Sequence, residues 1–305
     1  VLSQFDQPFG DSSAVPSYVM CRAVRPFVKV VIGGDGGDEM FGGYPRYGYA
    51  DFARTLGRAP AWALRAMLRF SRAVSRVSPS ERVRQVQRLL RAAEASGNER
   101  LLALSCYLFP EELQDMLTPS ARQKTTDCVP ILLGAGDRSR EVGGAAFIDA
   151  TMSTALPGDY LRKVDMMSSA HGLEVRIPFL GESVLACSAR IPERWKYSVG
   201  ENKRLLRKLA ERYLPAATCR RPKAGFGFPF DAWLGDQGRR ELHQQLCSPT
   251  ARVRDIVSAG YLERLLRCFV EQRWDDLRIS RYNLYQRVYC LWALERWLQR
   301  WSPNL

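Results

Sequence analysis

Residues 30–44 read V-V-I-G-G-D-G-G-D-E-M-F-G-G-Y. A β-branched run stops at Gly33, and six glycines fall within the next eleven residues, around two aspartates and a glutamate. A strand that ends in glycines and acids sits where open α/β sheets bind ligands, beyond the strand's carboxyl end. Glycines permit positive φ and close backbone approach to a phosphate. Carboxylates beside a phosphate make sense when Mg²⁺ lies between them, because Mg²⁺ shares hard oxygen ligands with phosphates. The alternative is a strand-to-helix turn with Asp38 and Glu39 as first-turn helix acids. The residues alone leave both readings open. The stretch is neither a Walker loop nor a G-x-G-x-x-G fingerprint.

Outward from this stretch, residues 28–32 (V-K-V-V-I) suit a buried parallel strand, and residues 12–25 suit a preceding helix. No second buried strand is evident. The pattern after Tyr47 is helical: 47–56, 60–77, 80–95, 98–107, 110–117, 143–156, 158–168, 181–190, 201–213, 237–247, 258–271 and 281–300. Pro157-Gly158 reads as a break, and Pro119–Val142 as a looser surface stretch. In the last helix Leu284, Val288, Leu291, Leu294 and Leu298 recur at helical spacing, with Trp292 and Trp297 expected in the core. A lone parallel strand is not a sheet, so the remaining strands of an α/β domain are expected N-terminal to residue 1. Val1 in place of an initiator Met agrees with that expectation.

The chain has 305 residues and is 46% hydrophobic. It holds no run of roughly 18 apolar residues and opens without a basic or apolar leader, so no transmembrane segment or signal peptide is expected. The eight cysteines are scattered and form no C-x-x-C. They read as reduced, mostly buried thiols of a cytoplasmic protein. Two histidines exclude a His-rich metal centre. The net charge of +13 is uneven: residues 54–100 carry eleven arginines, no lysine and three acids. Arg65, Arg69, Arg72 and Arg76 share one helix face. A solvated helix face of an arginine-rich proteome, turned toward an acidic region missing from these residues, is the preferred reading; anionic lipid or a partner, and nucleic acid, are the alternatives.

Two more segments carry chemistry. Residues 160–180 (Y-L-R-K-V-D-M-M-S-S-A-H-G-L-E-V-R-I-P-F-L) interleave Lys163, Asp165, His171, Glu174 and Arg176 with apolar residues. Buried salt bridges orienting a turn are the plain reading. Residues 220–230 (R-R-P-K-A-G-F-G-F-P-F) place Lys223 between Pro and Gly among aromatics. That suits a loop closing a charge over an anion, or an exposed turn with a solvated lysine.

Together and in this order, the three segments resemble the synthetase domain of the asparagine synthase family. Gly33–Tyr44 is similar to that family's S-G-D-G-G-D-E-L-F-G-G-Y. Lys163–Gly181 resembles K-V-D-R-x-S-M-A-H-S-L-E-x-R-V-P-F-L-D. Leu205–Lys208 and Arg221–Pro229 resemble L-L-R-K and R-P-K-x-G-F-x-x-P. The entry D-Q-P-F-G-D-S-S-A-V-P-S-Y also resembles the family's opening helix. Gly33, Met166 and Gly181 depart from the usual Ser, Arg and Asp. The family's S-G-G-x-D-S phosphate loop and its glutaminase domain, with an N-terminal Cys nucleophile, are not among these residues.

The resemblance implies an α/β domain of the PP-loop ATP pyrophosphatase type, with 1–50 as the end of the parallel sheet and 51–305 as its helical remainder. It implies ATP and Mg²⁺, adenylation of an aspartate-like carboxylate with release of pyrophosphate, and attack by ammonia from a glutaminase domain. Asp38 then matches the acid associated with Mg²⁺ and pyrophosphate. Asp35 matches the acid near the reacting carboxyl, and Lys223 the loop lysine that stabilises charge in the transition state. Gly34, Gly36 and Gly37 would let the backbone approach the substrate, and Glu39 would support the turn. Lys163, Asp165, Glu174 and Arg176 would stand behind these groups or shape the acceptor pocket. The 305 residues alone are expected to turn ATP over poorly. A homodimer is compatible with the resemblance, and nucleic acid is not an expected partner. Relatives that amidate or cyclise sugars, peptides or β-lactam precursors share the same motifs, and a non-catalytic binding fragment is the alternative of a different class.

Overall fold

The predicted strand is β1, Val30–Ile32, in the computed structural model of the chain, which describes residues 1–77, 80–125, 142–219, 221, 225–277 and 279–301. Contrary to the single-strand expectation, β1 pairs in parallel with β2, Glu174–Arg176. Val31 lies opposite Val175, and the ladder is extended by Glu174 N donating to Lys29 O at 2.9 Å and Gly33 N donating to Arg176 O at 2.8 Å. The sequence E-V-R gives no apolar run, because a strand covered on one face needs only its central residue to be apolar. For the same reason β1 is not the buried strand expected: Ile32 is 77% exposed and Val30 is 40% exposed, while Val31 is half-buried.

The covered face of this sheet looks onto α1 (Ala14–Val24) across a hollow lined by both. After the acidic loop come the short helix α2 (Gly37–Met40) and α3 (Pro45–Leu56), whose Pro45 occupies the first turn, where no N–H is needed. Helices α4 (Ala61–Val77), α5 (Glu81–Glu94), α6 (Gly97–Ser105) and α7 (Pro110–Met116) follow. The expected loose stretch begins instead as α8 (Pro119–Lys124), capped by Thr118 Oγ1, which accepts from Ala121 N. Residues 126–141 of that stretch lie outside the described residues.

The break expected at Pro157-Gly158 does not occur. Helix α9 (Gly144–Ala150) runs into a π-helix, Thr151–Leu161, with Pro157 inside it, and then into α10 (Arg162–Ser169). In an α-helix a proline ring collides with the carbonyl four residues back; the wider i→i+5 register of a π-helix relieves that collision. Helix α10 lies against α1. It therefore delivers the 160–180 segment directly to the sheet that carries the acidic loop.

Helices α11 (Glu182–Arg190), α12 (Glu193–Lys196), α13 (Arg204–Ala210) and α14 (Ala216–Cys219) lead to three long ones. These are α15 (Phe230–Cys247, kinked at Gly235), α16 (Ala259–Glu271) and α17 (Arg281–Trp301). Leu246, Leu262, Leu265, Leu266, Phe269, Leu284 and Val288 form the heart of the C-terminal core. Trp292 packs against this core as expected. Trp297 does not; its Nε1 donates to Asp6 O at 2.8 Å and ties the N-terminal segment to α17. Of the described cysteines, which are all free thiols, only Cys21 and Cys268 are buried and Cys187 is exposed, so the expectation of mostly buried thiols fails. Among the described residues no helix is long and apolar enough to cross a membrane.

The arginine-rich segment finds its acids inside the chain. Arg65 pairs with Glu94 at 3.0 Å, Arg72 approaches Glu111 at 3.8 Å, and Arg91 bonds Glu111. Arg84 and Arg287 both bond Glu112, and Arg100 is buried with its donors on three backbone carbonyls. Much of the local positive charge is thus spent on joining α4 through α7.

Candidate functional site

The acidic loop turns where β1 ends. Gly36 has φ of +82°, a left-handed conformation that suits glycine, and a Cβ there would stand 2.5 Å from Leu180 Cδ2. Beyond it α2 opens with Asp38 and Glu39 in its first turn. Glu39 is buried and accepts from the Tyr44 hydroxyl at 2.6 Å. Burial, then the neighbouring Tyr160 and the Glu39 carboxylate, push the Tyr44 phenol well above its ordinary value, so it stays a donor. Glu39 therefore holds the turn, as expected of it.

Asp35 and Asp38 line different hollows. Asp35 lines one of about 360 Å³ with Gly33, Gly34, Ser17, Cys21, Val164 and Val175. A Cβ on Gly34 would meet nothing within 4 Å, so the backbone here is open to an approaching group. Asp38 lines the other, of about 370 Å³, with Gly43, Lys203, Arg207 and Arg221. There Lys203 Nζ stands 3.1 Å from Asp38 Oδ2. Gly43 makes room for the carboxylate, because a Cβ on it would fall 1.8 Å from Asp38 Oδ1. A single carboxylate among three cations matches a polyphosphate that arrives with its own divalent cation.

Lys203 is the residue the sequence reading missed. It caps the start of α13 in a left-handed conformation, φ +53°, and its N–H donates to Gly42 O at 3.2 Å. This bond joins the E-N-K-R-L-L-R-K stretch to the end of the acidic loop. The available signal was a lysine two residues before the quoted L-L-R-K. Lys223 lies outside the described residues; Arg221, two positions before it, lines the Asp38 hollow.

The 160–180 segment meets the loop through packing. Phe179 lies edge-on to Phe41 with ring centroids 5.9 Å apart, and a Cβ on Gly37 would touch Phe179 at 3.1 Å. Its charged residues do not converge. Lys163 Nζ donates to Asp11 Oδ2 and Ser13 Oγ, both at 2.7 Å. Burial opposes the charge on Asp11, but Lys163 and Ser13 hold its carboxyl below the usual range. Asp159, facing the same group, is pushed up to about 6 by burial and by the charge of Asp11. Glu174 and Arg176 pair with each other at the surface at 2.7 Å. Asp165 takes a long bond of 3.4 Å from Ser169, and His171 lies against Tyr18. Lys163 thus fits the salt-bridge reading, and none of the five lines either hollow of the acidic loop.

The family model for asparagine synthase matches residues 1–299. The chain belongs to the asparagine synthase family. It is 28% identical over 239 residues to asparagine synthetase [glutamine-hydrolyzing] 1 of Bacillus subtilis, covering 78% of this chain and 36% of that protein. It is 31% identical over 230 residues to a putative asparagine synthetase [glutamine-hydrolyzing] of Mycobacterium bovis, covering 75% of this chain and 34% of that protein. A shorter match, 53% over 55 residues, joins 17% of it to 11% of a putative asparagine synthetase [glutamine-hydrolyzing] 2 of Methanocaldococcus jannaschii. The chain spans about a third of the length of the first two relatives. A mostly helical chain with a small parallel sheet is compatible with the α/β synthetase domain that membership brings.

Proposed function

We propose that this chain forms the acidic-loop wall of an ATP-dependent synthetase site that adenylates the side chain of aspartate, releases pyrophosphate and passes the activated acyl group to glutamine-derived ammonia. The observation that carries the proposal is the division of the loop between two hollows, Asp35 in one and Asp38 with Lys203, Arg207 and Arg221 in the other. Family membership supports the reaction class.

The two hollows divide the work. In the basic one, Lys203, Arg207 and Arg221 hold the leaving pyrophosphate and offset the charge that builds on it. Asp38 would hold Mg²⁺ there; its carboxylate oxygens fit that ion, and the surrounding cations fit the phosphates that bring it. Bound Mg²⁺ supplies Lewis-acid polarisation of the phosphoryl oxygens. Lys223, two positions after Arg221 in the sequence, would supply the further positive charge that offsets the charge of the transition state. In the other hollow, Asp35 positions the incoming amine and takes up its proton. Gly34, Gly36 and Gly37 admit the substrate backbone-close. The apolar wall of Val31, Val164 and Val175 keeps water from the acyl-adenylate.

The wider sheet is of the PP-loop ATP pyrophosphatase type in this reading. Support comes from β1, whose Val30 and Ile32 are exposed in a sheet of two strands among the described residues. Residues 1–50 then bring β1 and the acidic loop to a larger parallel sheet, and 51–305 are a mainly helical remainder that adds β2 to it. No S-G-G-x-D-S loop lies in these 305 residues, so the reaction takes its phosphate loop from another segment.

The test is release of AMP and pyrophosphate from ATP by the natural polypeptide that carries this sequence, in the presence of one carboxylate at a time. Aspartate-dependent release supports the proposal. Release that ignores aspartate and answers to another carboxylate overturns the substrate; no carboxylate-dependent release overturns the reaction.

A further inference from the structure

A second group of metal-binding side chains lies away from the acidic loop, on the C-terminal helices. His243 and Cys247 are four residues apart on α15 and so share one helix face. Glu263 on α16 comes to the same point, because α15 and α16 pack against each other. The ligand atoms of the three residues all lie within 4.8 Å of one another. His243 Nε2 is 3.3 Å from Glu263 Oε1 and 4.0 Å from Cys247 Sγ.

These separations suit one ion. Zn²⁺ bonds imidazole and carboxylate at about 2.0–2.2 Å and thiolate at about 2.3 Å, which sets tetrahedral edges of roughly 3.3–3.7 Å. The His243–Glu263 edge already has that length, and the His243–Cys247 edge is a few tenths of an ångström longer. Without an ion the three side chains hold one another, His243 pairing with Glu263 and the Cys247 thiol hydrogen-bonding to the same carboxylate, so all three already converge on one point. The mixed N, S and O set is the kind that Zn²⁺ takes in preference to Mg²⁺ or Ca²⁺. Among the described residues the Glu263 carboxylate and the Cys247 thiol are the acidic groups of the cluster; Arg254 is engaged by the Cys247 carbonyl at 2.8 Å.

We propose that His243, Cys247 and Glu263 form a Zn²⁺ site that clips α15 to α16. Glu263 is 53% exposed, so the fourth position faces solvent and takes a water. On binding, the Cys247 thiol gives its proton to solvent and coordinates as thiolate. The cluster sits at the rim of the C-terminal core, against which Cys247 packs, so the ion stabilises that core.

Cobalt(II) is the probe, with the reduced, full chain. A tetrahedral visible spectrum with a thiolate-to-cobalt charge-transfer band, displaced by Zn²⁺, is the expected result. Zn²⁺ should also raise the unfolding temperature. Cys247→Ser should abolish the charge-transfer band, while Cys187→Ser, at an exposed thiol, should leave it. Glu263→Gln, at an exposed position that does not endanger folding, should weaken binding at least about tenfold, since even an outer-shell partner is worth that much. A spectrum without the charge-transfer band, one that survives Cys247→Ser, or unchanged affinity in Glu263→Gln overturns the site.

Discussion

Glu112→Gln tests how the arginine-rich segment is held. The carboxylate accepts from Arg84 at 2.9 Å and from Arg287 at 2.8 Å. Both guanidinium groups are nearly inaccessible, with 8% and 5% of their side chains exposed. Burial opposes the charge on Glu112, but the Arg84 hydrogen bonds and the charges of Arg287 and Arg84 hold the carboxyl down to about 2, against an ordinary 4.5. At about 1.36 kcal/mol per unit, that difference is worth roughly 3 kcal/mol at neutral pH. Breaking a buried pair from one side gives a similar figure, about 3–5 kcal/mol. The glutamine keeps shape and one acceptor, so a loss of about 3 kcal/mol is expected. For a chain of this size that is about 6 °C in unfolding temperature. Because the folded value is depressed, the stabilisation is full above about pH 4.5 and lost as pH falls toward about 2. Thermal unfolding followed by circular dichroism across that range measures both effects. A gap below about 0.5 kcal/mol at neutral pH, or one that stays constant toward pH 2, would refute the reasoning.

Asp159→Asn should act in the opposite sense. Folded Asp159 is held up to about 6, above its ordinary 3.8, so its penalty is absent below about pH 3.8, accrues as pH rises toward about 6, and is full above that. The variant should gain about 1–3 kcal/mol over the parent above pH 6 and nothing near pH 4; identical pH slopes would remove this account. Gly36→Ala forces a side chain into a φ of +82° against Leu180, at a cost of about 1–2 kcal/mol of backbone strain. Denaturant unfolding measures it, and a neutral substitution would mean that the turn is not held as described. Lys203→Met should slow carboxylate-dependent pyrophosphate release by about a hundredfold, as expected for one charge-stabilising donor, while unfolding stays near the parent's. Unchanged release would separate Lys203 from the site.

Much of the helical framework was legible because its apolar residues repeat at helical spacing, as Leu284, Val288 and Leu291 do. Strand β2 was not, since E-V-R is too short and too polar to stand out from the surrounding turn. Pro157 misled because local chemistry marks a break, whereas the chain absorbs it in a π register. The arginine face was read with its acids elsewhere; Glu94 and Glu111 are remote in sequence and meet it only when α4, α5 and α7 pack. At the candidate site the acidic glycines announced themselves, but the pairing of Asp38 with Lys203 crosses 165 residues of chain and depends on a left-handed lysine that no periodicity signals. The His243–Cys247–Glu263 cluster was hidden in the same way, by a helix packing that brings distant residues to one point.

Exchange of labelled pyrophosphate into ATP bears most directly on the role proposed for the acidic loop. Measured in the natural polypeptide with aspartate and Mg²⁺, exchange should require the carboxylate. It should fall by about a hundredfold or more in Asp38→Asn and in Lys223→Ala, and persist in Asp35→Asn, whose defect should appear only when ammonia is added. Exchange at the parental rate in Asp38→Asn and Lys223→Ala would contradict the account.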